Sequence, residues 1–226
     1  MIYLRNIAFY AAFYGGSVLF VLGAVISSYV SPRGVRWFCD AWSRWHHWCC
    51  RHLLGITIVE TGTRPAGQAF YAIKHESFFE AIAMPWLFDW PAAFAKAELS
   101  DIPGWGHASG VYGNIPVARD QGATALRRML RDVRPAMDQQ RPIVIFPEGT
   151  RVPHGTRPPL QSGFAALYKL LKLPVVPVAV DSGPVYHRRW KVPGTITLHF
   201  GEAIETGLPR DEIETRVHDA INCLNS

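Results

Sequence analysis

The chain has 226 residues, with 23 basic and 18 acidic side chains and a formal net charge of +5 at pH 7. That length suits one globular domain with an appendage and is enough to bury a sizeable core. Hydrophobic residues make up 49% of the chain and charged residues only 18%, which is apolar for a soluble enzyme. The chain carries no recognised nucleic-acid-binding motif, so its modest positive charge does not predict a nucleic-acid partner.

The first predicted element is an apolar helix over residues 7–30. Its only ionisable side chains are tyrosines, and it is longer than the roughly 20 residues that span a bilayer core. A secretory signal peptide is the competing interpretation, because Arg5 supplies a basic flank. The apolar run, however, exceeds the roughly 7–15 residues of a signal sequence, and residues 27–29 (Ser-Ser-Tyr) form a poor cleavage site. We therefore expect a retained helix that crosses the membrane or dips into it.

Residues 37–52 predict a second membrane-associated element. They include four Trp, three His and two Arg, a composition typical of a segment at a membrane interface. Arg5 is the only basic residue before the apolar helix, whereas several arginines follow it. The positive-inside rule therefore places the main domain on the cytoplasmic side of the inner membrane. We expect residues 1–54 to form a membrane-anchoring region and residues 55–226 to form the main domain.

Three of the four cysteines, Cys39, Cys49 and Cys50, lie in this interfacial stretch. Adjacent cysteines make a poor disulfide framework, which agrees with a reducing compartment. The neighbouring histidines raise the question of a metal site, but the stretch has no regular C-x-x-C or H-x-x-x-H pair of the zinc type. We expect no metal ion and no cofactor.

From residue 55 onward, apolar strands alternate with amphipathic helices, which is typical of an α/β domain. The predicted fold is a single α/β domain with a largely parallel central sheet flanked by helices. The strand over residues 111–118 contains a glycine and a proline, so we expect it to be irregular or at an edge. The predicted strands are 55–60, 69–73, 92–95, 111–118, 143–146, 175–180 and 195–200, and the predicted helices are 78–87, 124–139, 163–171 and 211–224.

The predicted helix over residues 124–139 has an apolar side and a basic side. Its arginines form a cluster with Arg119, which lies just before the helix. Such a patch can bind nucleic acid, but regular interleaving with aromatic residues is missing. An anionic membrane surface or a phosphorylated acyl carrier fits better beside a membrane anchor.

The most informative stretch is residues 74–80 (Lys-His-Glu-Ser-Phe-Phe-Glu). On a regular helix two residues five apart lie about 140° around the axis and do not face each other, so His75 and Glu80 are not both mid-helix. If Ser77 is the N-cap, Glu80 completes a capping box and its side chain leans back toward His75. A carboxylate there can fix the tautomer of an imidazole that takes a hydroxyl proton. The alternative is that Glu80 only caps the helix beside an ordinary loop histidine.

The second informative stretch is residues 146–151 (Phe-Pro-Glu-Gly-Thr-Arg), which follow an apolar strand. The proline stops the strand, and Gly149 permits a close approach of the backbone to a ligand. Arg151 can bind a phosphate through two parallel hydrogen bonds. The alternative is a surface turn with an internal Glu148–Arg151 ion pair.

The sequence contains four short motifs in this order: His75-x4-Glu80, Gly113-x5-Arg119, residues 146–151, and residues 176–180 (Val-Pro-Val-Ala-Val). In order and spacing, these blocks resemble those of the glycerolipid acyltransferases, in particular the 1-acyl-sn-glycerol-3-phosphate acyltransferase (PlsC-like) family. The resemblance runs from about residue 55 to residue 201, and the N-terminal membrane region is likewise typical. A lone H-x4-E would be weak evidence, whereas the hexapeptide with three further blocks in register is specific.

The resemblance implies a catalytic pair and a substrate site. His75 would be the general base that deprotonates the acceptor hydroxyl for direct attack on an acyl thioester, without an acyl-enzyme. Glu80 stands where the family usually has Asp, and backbone N–H groups near Ser77 would stabilise the oxyanion. Arg119 and Arg151 would hold the phosphate, with Lys96 as a further candidate. Glu148 and Gly149 would position the glycerol, and the substrate-binding set is Lys96, Arg119, Glu148, Gly149, Thr150 and Arg151.

The implied activity is the transfer of an acyl group from acyl-CoA or an acyl carrier protein thioester to the sn-2 hydroxyl of lysophosphatidic acid, which forms phosphatidic acid. Membrane lipid is a further expected partner. One alternative is an acyltransferase for another lysolipid, such as a lyso-ornithine lipid. A second is a non-catalytic, membrane-anchored lipid-binding protein, which Glu80 in place of Asp and the lack of a basic residue before Gly163 would favour.

Overall fold

The computed structural model describes residues 1–117 and 122–225. The helices are α1 (Ile2–Ser28), α2 (Pro32–Cys49), α3 (Phe78–Leu87), α4 (Trp105–Tyr112), α5 (Gly122–Asp138), α6 (Gly163–Leu171), α7 (Gly183–Tyr186) and α8 (Arg210–Ile221). A π-helical turn, Cys50–Leu54, extends α2. The strands are β1 (Ile56–Gly62), β2 (Phe70–Ile73), β3 (Ala92–Lys96), β4 (Ile115–Val117), β5 (Ile143–Ile145), β6 (Val175–Val180) and β7 (Gly194–Phe200).

The seven strands form one sheet in the order β1-β7-β6-β2-β5-β3-β4. All neighbouring strands are parallel except β6 and β7, which pair antiparallel. The prediction of a largely parallel sheet in an α/β domain is confirmed. Because β2, β5, β3 and β4 are parallel neighbours, the loops that follow them all lie at the same edge of the sheet, where ligands bind in such folds.

Most predicted elements are confirmed, and α3, α6 and β6 have the predicted bounds. The strand predicted over residues 111–118 is wrong in its first half. Val111 and Tyr112 close α4, and Gly113 ends that helix with a φ of 95° before the short strand β4. The helix α4 contains two glycines, so its local propensity is weak and its packing against α1 and α2 decides its conformation.

The sheet is covered on both faces, as a parallel sheet requires. Alternate residues of β2, β3, β5 and β6 enter opposite cores. In β6, Val176 and Val178 enter a core shared with α1, α2 and α3, whereas Val175 enters a core shared with α5, α6 and α8. The loop after β2 and the start of α3 therefore rest on a continuous apolar base.

The helix α1 docks on the domain along one side and exposes apolar side chains on the other. The side chain of Asn6 is fully buried and exchanges two hydrogen bonds of 2.8 Å with the backbone of Lys191. Phe9 and Phe13 are buried in the core on the α3 side of the sheet. By length and composition α1 can cross a membrane, which indicates membrane association of the chain. Its exposed large apolar residues include Ile7, Tyr14, Val18, Leu19, Leu22 and Ile26.

Candidate active site

The loop between β2 and α3 brings His75 and Glu80 together. Ser77 caps α3, accepting a hydrogen bond of 3.0 Å from the Phe79 N–H, and its own N–H donates to Oε2 of Glu80 over 2.9 Å. This is the predicted capping box. The same Oε2 lies 3.2 Å from Nδ1 of His75. The cap therefore aims the carboxylate at the imidazole, because a glutamate at the third helical position leans back over the residues before the helix.

The other oxygen of Glu80 is held by a residue that sequence reasoning missed. The hydroxyl of Ser182, in the loop between β6 and α7, donates to Oε1 of Glu80. The hydroxyls of Ser77 and Ser182 lie 2.7 Å apart. Glu80 is 2% exposed, so these donors replace the water that the carboxylate gives up. No local pattern marks Ser182 in the sequence; its nearest signal is that it follows the block over residues 176–180.

The imidazole of His75 is stacked but still accessible. Its ring lies 4.1 Å from the Phe146 ring, centroid to centroid, and the two planes are 23° apart. The His75 side chain is 15% exposed, against 1% for the Glu80 side chain. Because Nδ1 faces Glu80, Nε2 is the nitrogen that can take a proton from a bound molecule.

Beneath the dyad lies a buried ion pair between Lys74 and Glu148. Lys74 Nζ is 2.7 Å from Glu148 Oε1, and both side chains are fully buried. Oε2 of Glu148 accepts a hydrogen bond of 3.0 Å from the backbone N–H of His75. Lys74 also donates to the Thr156 carbonyl over 3.0 Å and to Asn222 Oδ1 over 2.8 Å. Both carboxylate oxygens of Glu148 thus bind the protein, whereas the sequence suggested that Glu148 positions a glycerol.

The residue after His75 takes part in a second buried contact. Glu76 accepts hydrogen bonds from the Gly183 N–H over 2.7 Å and from His154 Nδ1 over 2.9 Å. Burial raises the pKa of Glu76 above its ordinary value, against the opposing effect of these two donors. Glu76 therefore ties the loop after β2 to the start of α7 and to the loop that contains His154.

Those predicted phosphate-binding residues that the structure describes lie at or after the ends of β3 and β5. Thr150 and Arg151 are exposed in the loop after β5, and the Arg151 guanidinium carbon lies 3.8 Å from the centroid of the Phe78 ring. Lys96 ends β3 opposite Val117 and is half-exposed, with Nζ 3.9 Å from a Glu98 oxygen. Gly149 has a φ of 71°, a backbone conformation that favours glycine. Arg119 lies outside the described residues.

An apolar cavity lies beside α3, enclosed by α1, α2 and α4. Its volume is about 100 Å³, and its lining includes Phe20, Trp42, Ala81, Met84 and Trp105. Ala81 follows Glu80 in the chain. The cavity therefore borders α3 one residue after Glu80, although neither His75 nor Glu80 lines it.

Comparisons with known proteins identify the family. The sequence profile of the family Acyltransferase matches residues 55–181, which is more than half of the chain. The chain belongs to the Acyltransferase family. The His75–Glu80 pair and the loop over residues 146–151 both lie within the matched part.

Relatives of this acyltransferase carry a narrower name. The chain is 28% identical over 210 residues to the 1-acyl-sn-glycerol-3-phosphate acyltransferase of Pseudomonas aeruginosa, and the match covers 89% of this chain and 80% of the relative. It is 29% identical over 147 residues to the protein of the same name from Helicobacter pylori, covering 62% and 60%. The solved structure of the 1-acyl-sn-glycerophosphate (LPA) acyltransferase PlsC from Thermotoga maritima superposes with a TM-score of 0.75, at 19% identity, over 100% of this chain and 98% of that one. This likeness establishes the shared fold over the whole length of this chain.

Proposed function

We propose that this acyltransferase moves a fatty acyl group from acyl-CoA or an acyl carrier protein thioester to the sn-2 hydroxyl of 1-acyl-sn-glycerol 3-phosphate, forming phosphatidic acid. The observation that carries the proposal is the 3.2 Å approach of His75 Nδ1 to Glu80 Oε2, at the sheet edge that also presents Arg151. The names of the relatives point to the same acceptor.

In this mechanism His75 is the general base and Glu80 stabilises the imidazolium. Nε2 of His75 takes the proton of the acceptor hydroxyl as that oxygen attacks the thioester carbonyl. The tetrahedral intermediate then collapses, the carbon–sulfur bond breaks, and the thiolate takes the proton from the imidazolium. The hydroxyls of Ser77 and Ser182 are bonded to each other and to Glu80, so neither is placed as a nucleophile and no acyl-enzyme forms.

The oxyanion of the intermediate needs hydrogen-bond donors. The N–H groups of Ser77 and Phe79 are already bonded to Glu80 and to the Ser77 hydroxyl. These two N–H groups are therefore not available to an oxyanion, which leaves the next donor at the helix start. Phe78 is the first residue of α3, where a backbone N–H has no partner inside the helix. We assign the oxyanion to this N–H and to the positive end of the helix dipole.

The acceptor phosphate lies along the sheet edge in this proposal. Arg151 rests on the exposed ring of Phe78, which holds its guanidinium beside the catalytic loop. Lys96 at the end of β3 and Thr150 in the loop after β5 are further phosphate-binding candidates, and we keep Arg119 as a candidate on the strength of the sequence alone. Gly149 adopts a φ of 71°, which lets the backbone turn in the loop after β5. We assign Glu148 to holding the backbone of His75 rather than to contacting the glycerol.

In this proposal the acyl chain and the membrane contact the N-terminal helices rather than the sheet edge that holds the phosphate. The apolar cavity beside α3 suits the first part of an acyl chain whose carbonyl lies near His75. The exposed apolar side of α1 suits insertion into lipid from the cytoplasmic side of the inner membrane. We keep the division into a membrane-anchoring region of residues 1–54 and an acyltransferase domain of residues 55–226, and we expect no metal, cofactor or nucleic acid to take part.

The test is an acyl-transfer assay on the lipid-reconstituted protein with lysophosphatidate and with both thioester donors. His75→Ala should abolish transfer, and near-normal turnover would rule out the mechanism. Arg151→Gln should raise the KM for lysophosphatidate about tenfold or more, because a charge-assisted hydrogen bond is lost. The same variant should leave the KM for a phosphate-free lyso-ornithine lipid unchanged if that lipid is accepted at all. Preferential turnover of the phosphate-free lipid would favour the other lysolipid activity, and no turnover of either would favour a lipid-binding protein.

A further inference from the structure

A second candidate site lies on the surface of α2, away from the dyad. It is a cavity of about 330 Å³ formed by two arginines, two histidines and two tryptophans. We call it the basic-aromatic pocket, and its residues are Arg44, His47, Trp48, Arg51, His52 and Trp86. The first five follow the spacing i, i+3, i+4, i+7 and i+8, which places them on one face of α2 and of the π-helical turn that extends it.

The cations of this pocket form no ion pair with an acidic side chain among the described residues. No acidic residue lines the pocket. Two acids act on it electrostatically without forming an ion pair: Asp40, one turn before Arg44, acts on Arg44, and Glu60, which pairs with Arg64, acts on His47. Both pocket arginines are exposed. A protein normally places a carboxylate or a bound anion among cations gathered this closely.

One residue that lines the pocket also has an unsatisfied polar atom, which lies inside the protein. Nδ1 of His47 is buried and has no hydrogen-bond partner among the described residues. The His47 ring packs 4.2 Å from the Trp86 ring, centroid to centroid, so the protein holds it in place. Burial lowers the pKa of His47, and the charges of Arg51, His52 and Arg44 lower it further. An anion bound by Arg44 and Arg51 would offset the positive charges that act on His47.

The pocket is separate from the proposed acceptor site. Trp86 lies near the end of α3, nine residues after the cap Ser77, which corresponds to about 13 Å along the helix. His75 precedes the start of the same helix. A phosphate in the pocket is therefore not the phosphate of a lysolipid whose hydroxyl is bound at His75.

We propose that the basic-aromatic pocket binds the headgroup phosphate of an anionic phospholipid at the membrane surface. The planar guanidinium groups of Arg44 and Arg51 suit a phosphate, which each can bind through two hydrogen bonds. Trp48 is 44% exposed at the mouth of the pocket, and tryptophan is favoured at the level of lipid headgroups. α2 packs along α1, whose exposed apolar side chains suit the lipid acyl region. The site therefore fixes the depth and orientation of the two N-terminal helices, independently of catalysis.

The experiment is calorimetric titration of the detergent-solubilised, full-length protein with short-chain phosphatidylglycerol. The test variant is Arg44→Gln/Arg51→Gln. Its matched control is Arg210→Gln/Arg216→Gln, which removes the same charge from exposed positions on α8. We expect saturable binding of one lipid, at least about tenfold weaker binding by the test variant, and a change within about twofold for the control. Arg51→Lys, which keeps the charge but not the planar group, should be intermediate.

Three results would overturn the proposal. Equal losses in both double variants would show diffuse charge attraction, equal binding of short-chain phosphatidylcholine would exclude an anion site, and equally tight binding of inorganic phosphate would exclude a lipid. Acyl transfer by Arg44→Gln/Arg51→Gln in neutral detergent should persist, which verifies the fold of the variant. If the unaltered protein transfers no acyl group, the proposed function fails while the binding result stands.

Discussion

The buried pair of Lys74 and Glu148 allows a quantitative prediction. Both side chains are fully buried with Nζ and Oε1 2.7 Å apart, so Glu148→Ala leaves an ammonium group without its counter-charge. Breaking a buried pair in this way costs about 3–5 kcal/mol. The substitution also removes the acceptor for the His75 N–H, which is 3.0 Å away. For a domain of this size each kcal/mol corresponds to about 2–4 °C, so we expect the melting temperature to fall by about 6–20 °C.

The assay is thermal unfolding in detergent, followed by circular dichroism at one scan rate for all variants. The double variant Lys74→Met/Glu148→Met should be more stable than Glu148→Ala, because it buries no unpaired charge. Glu212→Ala is the control: it removes an exposed pair with Arg216 on α8 and should cost less than about 0.5 kcal/mol. A loss below about 1 kcal/mol for Glu148→Ala, or a double variant that is less stable than the single one, would refute the reasoning.

Two further predictions concern the carboxylates near His75. Ser182→Ala removes a hydrogen-bond donor to Glu80 and should lower kcat about 10- to 100-fold with little change in KM. Ser182→Thr keeps the hydroxyl and should retain most of the activity. Unchanged kinetics for Ser182→Ala would show that Ser182 does not position Glu80. The pKa of Glu76 is raised by burial, so its contribution to stability is full below its ordinary value of 4.5 and is lost as the pH rises through the folded-state pKa. Unfolding measured from about pH 4 to pH 8 should show Glu76→Gln gaining stability relative to the unaltered protein as the pH rises, and parallel curves would contradict this.

Local features of the site were predictable from the sequence. The capping box over Ser77 and Glu80 involves neighbours in the chain, and the lean of a helical side chain follows from backbone geometry alone. The strand bounds followed from apolar runs that end at proline or at polar residues. The strand over residues 111–118 was mispredicted, because the choice between helix and strand at Val111 and Tyr112 depends on packing against α1 and α2.

The partners that complete the site were not predictable in this way. Ser182 is 102 residues from Glu80, and Asn222 is 148 residues from Lys74. The hydrophobic periodicity of a sequence does not indicate which distant loop will supply a hydrogen-bond donor. The sequence also could not show that Glu148 faces inward, since a turn with glutamate and arginine reads equally well as an exposed pair.

The sequence by itself determined the α/β class, the apolar N-terminal helix and the closeness of His75 and Glu80. These depend on hydrophobic periodicity and on hydrogen bonds between residues a few positions apart. Only the tertiary structure decided that Glu148 binds the backbone of the loop after β2, that Ser182 holds the second oxygen of Glu80, and that cations of α2 line a pocket whose lining includes no acidic residue. Each of these depends on the order in which parallel strands are placed in the sheet and on how helices pack over it, because those choices bring together side chains that lie far apart in the chain.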